Sequence, residues 1–258
     1  MAVQPQRGKP SLVLLHGWGL NHAVWQHLIP LLADDYQLLT PDLPGFGLNQ
    51  QCPSPYTLSA VAAEMAATIP PQSLVLGWSL GGLIATQLAL EHPEKVKALA
   101  LVASSPCFLA KAGWPGMDER VLSQFAGALS KDLALTVERF LAIQALGSET
   151  ARQDIKALKQ AVLSLPLPSS EALAGGLQLL ADGDLRPRLT ELQMPLAYCF
   201  GRLDSLVPVA MLDTLSQICP AAEVTLLPKA SHAPFISHQA EFMQWLRQWA
   251  AQASSGCS

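Results

Sequence analysis

The chain has 258 residues, of which 50% are hydrophobic and 14% charged, with a formal net charge of -4. This length suits a single α/β domain. The apolar fraction excludes a disordered chain, and the acidic balance argues against a nucleic-acid partner held by a global basic field. The five cysteines (Cys52, Cys107, Cys199, Cys219 and Cys257) contain no CxxC pair, so a reducing compartment is expected rather than a disulfide framework.

Residues 1–10 are polar and lack the apolar core of a secretory signal. No apolar run is long enough to span a bilayer. The expectation is a cytosolic monomer with no membrane partner. Residues 11–15 form a short apolar run ending at His16-Gly17, as suits a strand buried on both faces. Comparable runs at 37–40, 73–76, 96–103, 195–200 and 223–227 predict five more strands. Helical patterns lie between several of them, at 23–32, 57–69 (with Thr57 as N-cap), 83–92, 206–218 and 239–251, and the tail from Ala253 is expected to fray. Alternating strands and helices predict a mostly parallel sheet covered on both faces.

The stretch 106–189 breaks that alternation. It reads as helices at 118–129, 133–146, 148–164 and 169–181, punctuated by Pro166, Pro168 and Gly175-Gly176. So long a block between two strands is an insertion, and it predicts a helical cap over one edge of the sheet.

Gly77-Trp78-Ser79-Leu80-Gly81 matches G-x-S-x-G between a predicted strand and a predicted helix. That context makes Ser79 a candidate nucleophile, held in a strained turn at a helix N-terminus. A serine hydroxyl is weak and needs a positioned base. Of the six histidines, His22, His27 and His92 fall on or beside surface helices, as solvated or capping residues, and His16 ends the first strand. His238 reads as the start of the last helix. His232, just past the last strand, satisfies the chain order Ser, acid, His. The acid is then Asp204 in Gly201-Arg202-Leu203-Asp204; a helix-capping role for it is the competing reading, and Asp182, Asp184 and Asp213 are less well placed. The loop His16-Gly17-Trp18-Gly19 follows the first strand, so the backbone N–H groups of Trp18 and Leu80 are the expected oxyanion donors. The Trp18 ring reads either as a wall of the acyl pocket or as a core aromatic. Asp42-Leu43-Pro44-Gly45-Phe46-Gly47 lacks the lysine of a phosphate loop and reads as a tight turn near the site. No cluster has metal spacing, and neither metal nor cofactor is expected.

The segments LVLLHGWGLN, DLPGFG, LGWSLGGL, VASSPCF, WPG, TVERFLA, TARQD, GRLDSLVP and KASHAPFISHQAEF run from the first strand to the last helix. On these the chain resembles the pimeloyl-acyl-carrier-protein methyl ester esterases of biotin synthesis, which have the α/β-hydrolase fold. It departs at Leu48-Asn49, where many relatives carry serine. The resemblance implies hydrolysis of a methyl ester by Ser79, Asp204 and His232. It also implies substrate contacts at Trp18, Ser79, Leu80, His232 and the cap segment Phe140, Leu141, Ala142, Ile143 and Gln144. The implied partner is an acyl-carrier protein. Carrier proteins are acidic, and the cap holds Arg139, Arg152, Lys156 and Lys159, the last three on one face at i, i+4 and i+7. A solvated helix face partly balanced by Glu149 and Asp154 is the competing reading. A general short-chain carboxylesterase, another capped serine hydrolase and a non-catalytic ligand sensor remain alternatives on the same fold.

Overall fold

The computed structural model describes residues 8–129, 131–132, 135–136, 139, 156 and 159–255. In chain order the elements are β1 (Ser11–Leu15), α1 (Ile29–Leu32), β2 (Gln37–Leu39), α2 (Leu58–Thr68), β3 (Ser73–Trp78), α3 (Leu80–Glu91), β4 (Val96–Val102), α4 (Glu119–Leu129), α5 (Ser170–Asp182), β5 (Leu196–Gly201), α6 (Leu212–Ile218), β6 (Glu223–Leu227), α7 (Pro234–Ser237) and α8 (Gln239–Ser255). The strands form one sheet in the order β2-β1-β3-β4-β5-β6, and every pair is parallel.

All six apolar runs are strands. β3 and β5 are buried along their whole length, as uninterrupted apolar stretches must be when helices cover both faces of a sheet. β6 lies at the edge and leaves Val224 and Leu226 exposed. The chain runs outward from β1 to β2, then returns to β1's other side for β3. Right-handed crossovers then lie on opposite faces, and a crevice opens where the order reverses, at the carboxyl ends of β1 and β3. Ser79 and the His16–Gly19 loop follow those two strands directly.

Several helices differ from expectation for identifiable reasons. The expected helix at 23–32 is a 3-10 turn, His22–Trp25, capped by the Asn21 side chain, and then the short α1. Pro30 has no N–H to continue a helix from the preceding turn. The expected helix at 206–218 starts only at Leu212, after Pro208 and a 3-10 turn at Val209–Met211. α3 starts at Leu80 rather than at 83, and α8 continues through Ser255 instead of fraying from Ala253. The expected N-cap of α2 is present, with Thr57 accepting from Ala60 N–H.

Between β4 and β5 the described residues form α4, a helical stretch at 159–163 and α5. Most of the helices expected at 133–146 and 148–164 lies outside the described residues. Gly175-Gly176 does not punctuate this region; both residues sit inside α5.

Candidate active site

The backbone at Ser79 is strained, at φ 55° and ψ -121°, a conformation that non-glycine residues avoid. Three contacts hold it there. Ser79 N–H donates to Val102 O at 3.0 Å, Gly82 N–H donates to Ser79 O at 2.9 Å, and the Ser104 hydroxyl donates to the same carbonyl at 2.8 Å. A side chain at Gly77 would meet the backbone of Gly81 at 2.5 Å, and one at Gly81 would collide with the carbonyl of His16. The two glycines of the motif therefore allow the close packing of β3, α3 and the loop after β1.

His232 Nε2 lies 3.0 Å from Ser79 Oγ, and its Nδ1 lies 2.8 Å from Asp204 Oδ2. A carboxylate only accepts, so Nδ1 carries the proton and Nε2 is left to accept from the serine hydroxyl. Asp204 Oδ1 accepts from Leu206 N–H at 2.8 Å and Val207 N–H at 3.0 Å. Capping and orienting the imidazole are thus roles of one carboxylate, not alternatives. All three side chains are buried. Asp184 is engaged elsewhere, with Arg186 and Lys111 holding its carboxyl down at about 2.

Leu80 is the first residue of α3, so its N–H has no acceptor within the helix. Gly17 lies against Ser79: a Cβ there would be 3.3 Å from the serine Cβ. This brings the Trp18 loop beside Ser79. His16 braces that loop by donating Nδ1–H to Gly17 O at 2.9 Å and accepting Leu43 N–H on Nε2 at 3.0 Å. Complete burial drops its pKa from 6.5 to about 4 and keeps it neutral, although Asp42 stands 3.7 Å away. The turn at 42–47 is therefore structural. Asp42 accepts from His22 N–H at 2.6 Å, from Leu48 N–H at 2.8 Å and pairs with His22 Nδ1 at 2.8 Å. His22 is thus not the solvated or capping residue that its helical position suggested. His92 does cap α3, and His238 directly precedes α8.

A small, almost wholly apolar cavity opens on Ser79, walled by Trp18, Phe108 and Met117, by Leu122 and Phe125 of α4, by Leu177 and Leu180 of α5, and by Leu206. Trp18 is both core and wall: its ring is buried, edge-on to Phe125, with Nε1–H donating to Leu173 O at 3.0 Å. The wall residues on α4 and α5 escaped the sequence reading, although each helix offers an apolar pair at i, i+3 spacing. A second cavity of about 330 Å³ shares Phe125 and Leu206 with the first and is lined also by Gln124, Thr136, Ser205 and Arg139. Arg139 and Lys156 are exposed and Lys159 is half-buried. Phe140, Leu141, Ala142, Ile143, Gln144 and Arg152 lie outside the described residues. Among the described residues no group of histidine, cysteine and carboxylate side chains could hold a metal ion, and no helix is long and apolar enough to cross a membrane.

Comparison with known proteins agrees with this architecture. Residues 10–239 match the family described as alpha/beta hydrolase fold. A pimeloyl-[acyl-carrier protein] methyl ester esterase of Klebsiella pneumoniae is 52% identical over 237 residues, covering 92% of each chain. Its namesake from Aeromonas hydrophila is 51% identical over 236 residues, covering 91% of this chain and 93% of the relative. Among solved structures, an esterase from Exiguobacterium antarcticum superposes with a TM-score of 0.85 at 20% identity, over 95% of this chain and 92% of that one. At that identity the likeness concerns the fold alone. The chain belongs to the alpha/beta hydrolase family and, within it, to the group of its relatives named pimeloyl-[acyl-carrier protein] methyl ester esterase.

Proposed function

We propose that this chain is a serine carboxylesterase that hydrolyses the methyl ester of pimeloyl-acyl-carrier protein, with Ser79 as nucleophile, His232 as base and Asp204 as the group that orients it. The observation that carries the reading is the unbroken Asp204–His232–Ser79 hydrogen-bond chain, with links of 2.8 and 3.0 Å, at the floor of an apolar cavity.

Chemistry follows from that chain. Ser79 Oγ attacks the ester carbonyl while His232 Nε2 takes its proton. The carbonyl oxygen becomes an oxyanion, to which this reading assigns the N–H groups of Leu80 and Trp18 as donors. His232 returns the proton to the departing methoxide, which leaves as methanol. Water, deprotonated by the same nitrogen, then attacks the acyl-serine and releases the free carboxylate, restoring Ser79. Asp204 stabilises the imidazolium formed in each half, and no step calls on a metal or a cofactor.

The apolar walls suit a methylene chain, and the outer cavity shares Phe125 and Leu206 with the inner one and reaches Arg139. We further propose that 106–189 acts as a cap, that Phe140, Leu141, Ala142, Ile143 and Gln144 contact substrate, and that Arg139, Arg152, Lys156 and Lys159 receive the acidic carrier. A cytosolic monomer is proposed too; the four described cysteines are all free thiols, which suits a reducing compartment.

The test is Ser79→Ala. The variant should lose hydrolysis of both a p-nitrophenyl ester and the carrier-linked methyl ester, and should fail to rescue a biotin-requiring strain that lacks its methyl esterase. Retained hydrolysis of the small ester would remove the triad; a wild type that hydrolyses the small ester but fails to rescue the strain would remove the substrate.

A further inference from the structure

The loop after β1 is tied to the helical layer above it at two points. Asn21 donates Nδ2–H to the carbonyl of Val162 at 2.9 Å, and the Trp18 indole N–H donates to the carbonyl of Leu173 at 3.0 Å. Both side chains are 2% exposed. The acceptors belong to separate segments: Val162 lies in the helical stretch 159–163, and Leu173 lies in the first turn of α5. Asn21 also accepts Ala23 N–H on Oδ1 at 3.1 Å. One buried amide therefore uses its acceptor to shape its own loop and its donor to hold the layer. Lifting the layer would strand both buried donors, an unfavourable state unless water replaces the lost partners. The Trp18–Asn21 stretch would lose two of its anchors together.

We infer that Asn21 is a positioning residue, which makes seating of the layer over the site a condition for holding the Trp18 loop in its oxyanion-binding position. The inference rests on the reading of the Trp18 amide as an oxyanion donor. Coupling of this kind is reciprocal. Filling the oxyanion position must steady the layer, just as the layer steadies the loop.

Asn21→Ser tests it. Serine can still accept from Ala23 N–H as an N-cap residue, but it is too short to reach Val162. A trifluoromethyl ketone supplies the filled state: Ser79 Oγ bonds to the ketone carbon, the ketone oxygen takes the negative charge, and the serine proton moves to His232. Amide hydrogen exchange is followed by NMR with and without this adduct, at Trp18 and across residues 159–173. In the wild type the adduct should slow exchange at both places. In Asn21→Ser the slowing at Trp18 should persist and the slowing at 159–164, the segment that Asn21 ties through Val162, should vanish. The kcat for a p-nitrophenyl ester should fall roughly tenfold with KM held within about twofold, the split expected when only transition-state binding is lost. A wild-type adduct that protects Trp18 but not 159–173 overturns the coupling and leaves the oxyanion reading standing. So does a folded Asn21→Ser protein with unchanged kcat, or with protection at 159–164 retained. An adduct that leaves Trp18 unprotected overturns the oxyanion reading and the coupling with it. The wild-type arm decides the matter even if the variant does not fold.

Discussion

The indole N–H of Trp78 donates to the backbone carbonyl of His232 at 2.8 Å, joining the residue before Ser79 to the proposed base itself. The two are 154 positions apart in the chain, and the Trp78 ring also faces the imidazole at 5.8 Å between centroids. Trp25 and Phe235 close around the same ring. The variable position of the nucleophile motif thus fixes the distance between β3 and the loop after β6.

Trp78→Phe keeps an aromatic ring but leaves the His232 carbonyl without this donor. The cost should be about 1–3 kcal/mol of stability, the range for an orphaned buried group, with some addition for the smaller ring. Activity should fall more than stability implies, because the lost bond held the base. A tenfold or larger drop in kcat at nearly constant KM, at a temperature where the variant is fully folded, is the expected kinetic result. Equal kcat in a destabilised variant would reduce Trp78 to a core residue.

The strands, and the meeting of Ser79, His232 and Asp204, were legible in the sequence because their signals are local. Short, mostly apolar runs of four to eight residues have few other uses, and G-x-S-x-G between a strand and a helix constrains the two later partners by chain order. What escaped was tertiary. His22 sits beside helical residues and gives no sign that Asp42 will hold it. Gly175-Gly176 resembles a break, but α5 accepts both glycines in order to approach Trp18 and Tyr56. Pro208 suits a helix opening, but a 3-10 turn follows it and the α-helix begins only at Leu212. Trp78 and Asn21 bond to backbone carbonyls far along the chain, a pairing no spacing rule encodes.

His16 predicts a pH dependence of stability. Its pKa is 6.5 when unfolded and about 4 in the buried native site. Between those values the unfolded chain binds more protons than the native one, so stability rises with pH across the window and is lost as pH falls through it. At pH 5 this one group should cost about 2 kcal/mol relative to pH 8. Denaturant unfolding of the wild type and of His16→Gln at the two pH values checks this. The variant should be less stable at pH 8, having lost the fitted acceptor for Leu43 N–H, but should show a smaller drop on acidification. An identical drop in both proteins would mean that His16 does not titrate in the unfolding reaction.

Gly176→Ala separates helix propensity from site geometry. Alanine inside α5 gains about 1 kcal/mol of intrinsic helix preference over glycine. Its Cβ, however, would stand 2.7 Å from Trp18 Cδ1 and 3.2 Å from Leu80 Cδ2. A buried indole already hydrogen-bonded to Leu173 cannot move aside freely, and overpacking of this kind costs about 1–3 kcal/mol. The variant should have an unchanged or lower melting temperature and a kcat/KM reduced by about tenfold, since both residues in the way flank the proposed oxyanion position. A more stable and fully active variant would show that the layer has slack above Trp18.

Charge reversal at the proposed carrier face discriminates docking from chemistry. The whole chain carries a net charge of -4, so attraction for an acidic carrier has to be local. Lys156 is exposed, and Arg152 precedes it by four residues in sequence. Such charges act mainly on encounter rate and are screened by salt. Arg152→Glu with Lys156→Glu should therefore lower kcat/KM for the carrier-linked methyl ester by about tenfold or more at low ionic strength, through KM rather than kcat. The difference from wild type should shrink as salt is raised. Hydrolysis of an uncharged p-nitrophenyl ester should change less than about twofold, because neither charge is needed to bind it. Equal losses on both esters would point to damage at the cavity itself, and an unchanged carrier reaction would return these side chains to the role of a solvated helix face.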